Sequence, residues 1–268
     1  MAYVATAPMS AQQQDDRPIV FGRHPVREWL LSGRRAEKLY VREGLRSPWL
    51  AELEALASAQ RVPIQRVPGA RLDSLTGTRH HQGIALIGGL VAYWALETLL
   101  EQAFAQDPRP LLLVLDQIVD PHNVGAILRT AEAAGVQGVI VPKHGAAPIT
   151  PAVLKTSAGA AVHLAIARAT NLVRALQTLK QAGFWVIGAD QGADRLLWEQ
   201  DYSGPTALVI GNEGKGIRPL VRRHCDALVR IPMRGQVASL NASVAAAVLL
   251  YAALEDRWRQ SLKPYPAA

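Results

Sequence analysis

Between Ile231 and Leu254 the chain reads IPMRGQVASLNASVAAAVLLYAAL, with polar positions crowded into the first half and only Ala, Val, Leu and one Tyr from Val244 onward. A helix apolar all round is enclosed on every side or lies in lipid. The uncharged run from Gly235 to Leu254 is long enough for a membrane span. Gln236, Ser239, Asn241 and Ser243 argue against one, because uncovered polar groups in lipid are costly. The pattern predicts a strand over Ala227 to Ile231, a polar loop, and then a buried helix. Polar groups leading into such a helix are satisfied by backbone or used by a ligand.

Upstream, the pattern changes at Leu111 into an alternation of apolar runs and helical periods, the mark of a mostly parallel sheet covered on both faces. Strands are predicted over 111–116, 139–142, 161–166, 184–190 and 207–212. Helices are predicted over Val124 to Ala134, Thr150 to Ala160, Asn171 to Ala182 and Pro219 to His224, with Asn171 as a cap. Residues 17–88 read as a smaller α/β unit. Its strands are expected over 19–21, 38–41, 62–67 and 83–87, and its helices over Pro25 to Leu31 and Trp49 to Gln60, the latter after a Ser47 cap and Pro48. Gly88 and Gly89 suggest a hinge, and Tyr93 to Ala105 a connecting helix that stops at Asp107 and Pro108. The expected division is a disordered tail (1–16), a small unit (17–88), a linker with its helix (89–108), a large unit (109–258) and a tail (259–268).

Charge sharpens this division. Residues 17–82 hold 12 Lys/Arg against 6 Asp/Glu, so +6 of the chain's net +7 sits in the small unit. A small basic unit joined to a near-neutral large one suggests a polyanionic partner, although a solvated basic face would look the same. The single Cys225 excludes an internal disulfide and fits a reducing compartment, and the start lacks the charge and apolar core of a signal peptide. A cytoplasmic protein without a membrane segment is the expectation. His80 and His81 are adjacent, but no second ligand cluster accompanies them, so a loop that meets RNA or the other unit is favoured over a metal site.

Three loops fall at the carboxyl ends of strands, where open α/β sheets bind ligands: DPHN after Asp116, GNEGKG after Ile210 and MRGQVASLN after Ile231. Gly211, Gly214 and Gly216 do not have the Rossmann spacing. Lys215 is followed by Gly216 rather than Ser or Thr, so a P-loop is excluded too. No nucleophile elbow, Cys–His pair or zinc spacing is present.

The segments LDQIVDPHNVGAILRTAEAAGV, LVIGNEGKGI and the stretch from Ile231 resemble the three motifs of the SpoU family, in order, across residues 111–254. That family comprises S-adenosylmethionine-dependent RNA ribose 2′-O-methyltransferases of the knotted SPOUT class. The first unit, with GRHPVREWL and RHHQGIA, is similar to the ribosomal-protein-like substrate-binding domain of the enzymes that methylate guanosine in 23S ribosomal RNA. The resemblance implies an α/β fold with a C-terminal deep trefoil knot, which pattern alone would not suggest because knots are rare. It also implies a homodimer, with the last helix packed on a second subunit, S-adenosylmethionine as cofactor and no metal.

Carried over position by position, it places the methyl donor against Gly211, Ile231 and Leu240, with Gly188 nearby, and gives functional roles to Asn123, Arg129, Glu213, Ser239 and Asn241. Each has a bland reading as well. Arg129 and Glu132 have the spacing of a surface ion pair. Asn123 reads also as a helix cap, Glu213 as a solvent-facing turn residue, and Ser239 and Asn241 as caps of the last helix. Because a guanidinium hardly ever loses its proton, Arg129 is expected to position the nucleotide and to stabilise a developing alkoxide. The rival substrates are tRNA and a resistance site in ribosomal RNA. The rival from another class is a non-catalytic RNA-binding or ribosome-assembly factor.

Overall fold

The computed structural model describes residues 19–88 and 93–261. The tail expected over 1–16, Gly89 and residues 262–268 lie outside the described residues. The first unit runs β1 (Ile19–Phe21), α1 (Arg23–Leu31), β2 (Ala36–Arg42), α2 (Pro48–Ala59), β3 (Ile64–Val67), α3 (Gly69–Thr76) and β4 (Ile84–Gly88). Its sheet has the order β1-β4-β2-β3, with β4 antiparallel to both neighbours and β3 parallel to β2. The pattern did not predict α3, an eight-residue helix that opens on a glycine and buries only Leu72. Gly88, expected with Gly89 at a hinge, is a packing position. It pairs within β4, and a Cβ on it would lie 2.7 Å from the ring of buried Trp29.

The second unit begins with α4 (Leu96–Gln106), then β5 (Leu111–Asp116), α5 (Pro121–Ala133), β6 (Gly138–Pro142), α6 (Pro151–Thr156), β7 (Ile166–Ala169) and α7 (Leu172–Gln181). It continues with β8 (Trp185–Ala189), β9 (Thr206–Gly211), α8 (Pro219–Arg223), β10 (Ala227–Val229) and α9 (Ala242–Ser261). The six strands are all parallel in the order β10-β8-β9-β5-β6-β7. Every residue of β5, the continuous apolar run LLLVLD, is buried, as expected of a central strand covered on both faces. Each fully buried Val, Leu or Ile there contributes about 1.5–3 kcal/mol relative to exposure.

Several expected elements shift. Tyr93 to Ala95 are not helical: Trp94 bridges to Ala167, extending the sheet beyond β7. The helix expected through Ala160 stops at Thr156, because Ala158 (φ 52°) and Gly159 (φ 93°) turn left-handed. A Cβ at Gly159 would meet Glu28 Cβ at 2.5 Å, so the turn lets α1 of the first unit dock closely. The strand expected over 161–166 is therefore displaced to β7, where Ile166 pairs with Val139. α5 starts three residues before Val124, at Pro121. Its cap is Asp120, which accepts the His122 N–H, so the capping role offered for Asn123 is taken by its neighbour.

The last helix, expected to be covered in part by a second subunit, is buried along one face by this chain alone. Ala246, Leu249, Leu250 and Ala253 are buried, whereas Val244, Val248 and Tyr251 remain 47%, 37% and 44% exposed in the single chain. These three share one face by their spacing. The helix also runs to Ser261, beyond the boundary expected at 258. Among the described residues no helix is long and apolar enough to cross a membrane, and no three His, Cys, Asp or Glu side chains gather as metal ligands.

Candidate functional site

The two central strands, β5 and β9, end side by side, with Asp116 paired to Gly211. The buried Asp116 carboxylate accepts from the Arg218 backbone N–H (2.8 Å) and from its guanidinium Nε (2.7 Å). A buried carboxylate needs such partners, and here they pin the loop after β9 to the end of β5. Between these anchors lies the turn Asn212–Gly216, closed by two backbone hydrogen bonds, Asn212 N to Gly216 O (3.1 Å) and Gly216 N to Asn212 O (2.8 Å). The Asn212 side chain accepts from the Gly214 N–H at 2.9 Å and donates to the Gln117 carbonyl at 3.3 Å. Gly211 is obligatory, because a Cβ there would lie 2.1 Å from the Gly216 carbonyl carbon and 2.2 Å from the Ile217 nitrogen.

This turn forms one wall of a cavity of about 380 Å³. The other walls come from the ends of β8 (Ala189, Asp190, Gln191) and β10 (Val229, Ile231) and from Ala238 to Leu240. Ala242 and Ala245 of α9 form its floor. The lining is mostly apolar side chain and backbone, with Asp190, Glu213 and Lys215 as its charged members. Asp190 is already engaged, accepting from Arg222 Nε and from the Gly192 N–H.

Of the residues expected from the sequence, Gly211, Ile231 and Leu240, together with Glu213 and Ser239, line this one cavity. Gly188 does not. It lies one residue short of the cavity, within β8, and a Cβ there would press on Cys225 Sγ at 2.9 Å and Leu228 at 2.9 Å. Asn123, Glu213 and Asn241 form a relay beside the cavity. Asn241 Nδ2 donates to Asn123 Oδ1 at 3.0 Å, and Asn123 Nδ2 donates to Glu213 Oε1. The relay joins the first turn of α5 to the segments that follow β9 and β10, tying side chains 118 residues apart in sequence to one another. Glu213 is thus tied in place rather than left as a free turn residue.

Asn241 also caps α9, its Oδ1 accepting from Ser243 N (2.9 Å) and Ser243 Oγ (2.6 Å). Capping and the relay use different atoms of one amide. Ser239 caps nothing among the described residues. Arg129 stands apart from the cavity. It is exposed, shares a face of α5 with His122 two turns earlier, and the ion pair with Glu132 that its bland reading offered is not formed among the described residues. Pattern reasoning missed Asn212, Ala189, Asp190 and Gln191. The Asn at a strand end, two residues before a Gly, was a legible turn signal. Of the adjacent histidines, His81 is structural: Nε2 meets Asp73 Oδ1 at 2.9 Å and Nδ1 accepts the Gly83 N–H.

Comparison with known proteins bears on this site. A family model described as the SpoU rRNA Methylase family matches residues 110–251, and one described as RNA 2'-O ribose methyltransferase substrate binding matches residues 19–93. The 23S rRNA (guanosine-2'-O-)-methyltransferase RlmB of Pseudomonas syringae is 44% identical over 240 residues, covering 89% of this chain and 95% of that protein. A putative TrmH family tRNA/rRNA methyltransferase of Bacillus subtilis, YacO, is 41% identical over 247 residues, covering 92% and 98%. Among solved structures, the SpoU methyltransferase AviRb from Streptomyces viridochromogenes in complex with the cofactor AdoMet superposes with a TM-score of 0.76. It shares 26% identity and covers 92% of this chain and 91% of that one.

Proposed function

The chain belongs to the SpoU RNA methylase family, and from that premise we propose that it transfers a methyl group from S-adenosylmethionine to a ribose 2′-hydroxyl of RNA, a guanosine of 23S ribosomal RNA. One observation carries the reading for this chain. The Asn123–Glu213–Asn241 relay ties the first turn of α5 to the segments after β9 and β10 at the rim of a single cavity. The cavity suits the cofactor: it is of ligand size, is bounded by the 211–216 turn, and has an apolar wall of Ile210, Val229, Ile231 and Leu240. When bound, the cofactor supplies an electrophilic methyl carried on a sulfonium.

The chain's own work is then positioning. Transfer to oxygen requires in-line approach of acceptor and methyl, and holding them so supplies much of the rate. Glu213 and Asn123, each fixed by the other, orient polar groups at the cavity rim. Arg129, exposed and unpaired among the described residues, is available to a ribose or phosphate and to the charge that develops on the reacting oxygen. Because Arg129 lies outside this cavity, a second copy of the chain is part of the reading. The exposed face Val244, Val248 and Tyr251 on α9 supports a homodimer. We include a trefoil knot at the C-terminal part of the fold, supported by the likeness to SpoU structures, a substrate-binding role for residues 17–88 and a cytoplasmic location.

The test is methyl transfer from labelled S-adenosylmethionine to unmodified large-subunit RNA and, separately, to tRNA, followed by digestion to nucleosides. Label in 2′-O-methylguanosine from ribosomal RNA alone is expected. Label from tRNA alone would overturn the substrate, and none from either RNA or from assembly intermediates would overturn the enzyme reading.

A further inference from the structure

A second cavity, of about 530 Å³, opens where the two units meet. Its first wall is the start of α1, with Gly22, His24 and Pro25. Its second is the loop before β4, with Arg79, His80 and Gln82, and its third is the end of α6 and the turn after it, with Lys155 and Ala158. Basic groups from both units therefore face one space. Lys155 lies with its ammonium 5.0 Å over the Phe21 ring and 3.5 Å from the His80 carbonyl. Among the described residues no carboxylate pairs with Arg79, Lys155, His24 or His80. The nearby acids Asp73 and Glu28 are turned to other partners, His81 in one case and Arg27 and His163 in the other. The positive end of the nine-residue α1 adds to the same potential.

The walls are held at a conformational cost. Gln82 (φ 56°) and Ala158 (φ 52°) are two of the four described non-glycine residues with positive φ. Such backbone is unfavourable for any residue with a side chain, and it gathers where function demands a shape. Gln82 spends its side chain on the helix start, Oε1 accepting the Arg23 N–H at 2.7 Å. The junction is itself locked. Arg34 donates twice to the Val162 carbonyl (3.0 and 2.9 Å), and His163 Nε2 sits 2.9 Å from Glu28 Oε2. From α6 the surface continues toward α5, with Thr156 Oγ1 3.4 Å from His122 Nδ1, and so onto the helix face that carries Arg129.

We propose that this junction cleft binds a backbone phosphate of the substrate RNA through Arg79 and Lys155. It would thereby hold the RNA across both units, on a line that leads to Arg129. The inference rests on the RNA-methylating reading above and adds to it a contact shared by the two units. Phosphate contacts of this kind fix register without reading sequence.

The experiment measures equilibrium binding of the full-length protein to an unmodified large-subunit RNA transcript across a salt series, with S-adenosylmethionine binding and melting temperature followed in parallel. Lys155→Ala and Arg79→Ala are each expected to lower the slope of log affinity against log salt by about 0.7 to 1. Lys155→Arg should keep the slope, and cofactor binding should not change in any variant. Arg71→Ala removes the same charge from the small unit without touching the cleft, and should leave the slope nearer the wild-type value. If the cleft variants keep the wild-type slope, or Arg71→Ala lowers it as much, the cleft is not the phosphate site even though wild type still methylates RNA. A wild-type protein that neither binds nor methylates RNA would overturn both readings.

Discussion

Gly211→Ala isolates the backbone contact on which the cavity depends. The new methyl would sit 2.1 Å from the Gly216 carbonyl carbon, 2.2 Å from the Ile217 nitrogen and 2.4 Å from the Gly216 oxygen. Carbon–carbon contacts are comfortable near 3.5–4.0 Å, so β9 and the 216–217 segment must part by roughly 1.4 Å. Every obstructing atom is backbone, and no rotamer change relieves it. Overpacking in well-filled regions costs about 1–3 kcal/mol. Separation would also weaken the Asn212–Gly216 hydrogen-bond pair, at about 1 kcal/mol for each bond lost. The sum, on the order of 3 kcal/mol, corresponds to a fall in melting temperature of roughly 6–12 °C for a chain of this size. If the turn moves instead of the fold loosening, the strain appears as lost affinity for S-adenosylmethionine, because the same turn lines the cavity. Calorimetric titration and thermal melting, run on one sample, register either outcome. Gly135→Ala is the control. Gly135 has φ 70° and nothing within 4 Å of its added Cβ, so it should cost about 1–2 kcal/mol through backbone strain alone and leave cofactor affinity intact. A Gly211→Ala protein that melts within 2 °C of wild type, on the order of 0.5 kcal/mol, and binds cofactor normally would refute the steric argument.

If Arg129 acts through its positive charge rather than as a base, Arg129→Lys should retain measurable methyl transfer while Arg129→Ala loses at least about tenfold more; complete loss in the Lys variant with RNA binding intact would count against the assignment. Val248→Glu, placed in the middle of the exposed apolar face of α9, is expected to turn a dimer into a monomer in light scattering, and an unchanged mass would remove that face as the interface. Burial pushes the Cys225 thiol up to about 12 from an ordinary value of 9.0, so iodoacetamide at pH 8 should label it only after unfolding. Since its folded pKa lies above the unfolded one, its contribution to stability is complete below pH 9 and is lost between pH 9 and about 12; denaturant midpoints that do not differ between wild type and Cys225→Ala in their fall above pH 9 would contradict this. Tyr202→Phe strips the donor from the buried Leu197 carbonyl, a 2.7 Å bond, and should cost about 1–2 kcal/mol in chemical denaturation.

What the sequence disclosed follows from which interactions are local. The strand run LLLVLD, the Asn171 cap and the helix stop at Asp107 depend on residues a few positions apart, and all appear where expected. The elements that moved depend on distant partners. The helix expected through Ala160 ends early because Gly159 must let Glu28 and Pro25 of the first unit approach, and no periodicity near residue 160 encodes that. The α9 pattern was read correctly as apolar all round, yet one chain covers only part of it. A composition argument cannot say whether the cover is the same chain or another.

The site divides in the same way. Gly211 was expected beside the ligand and proves indispensable for a different reason, the close passage of two backbone segments. Gly188 was placed there by the same analogy, yet its missing Cβ makes room for Cys225 and Leu228. The cap offered for Asn123 is occupied by Asp120. An amide freed from capping at the first turn of α5, gripping Glu213 on one side and Asn241 on the other, has no structural duty that a Gln or Asp would perform equally. Gln is longer by a methylene, and Asp cannot donate to a carboxylate. The relay therefore selects Asn by length and by its pairing of donor with acceptor, a constraint written across three segments and visible only once they meet.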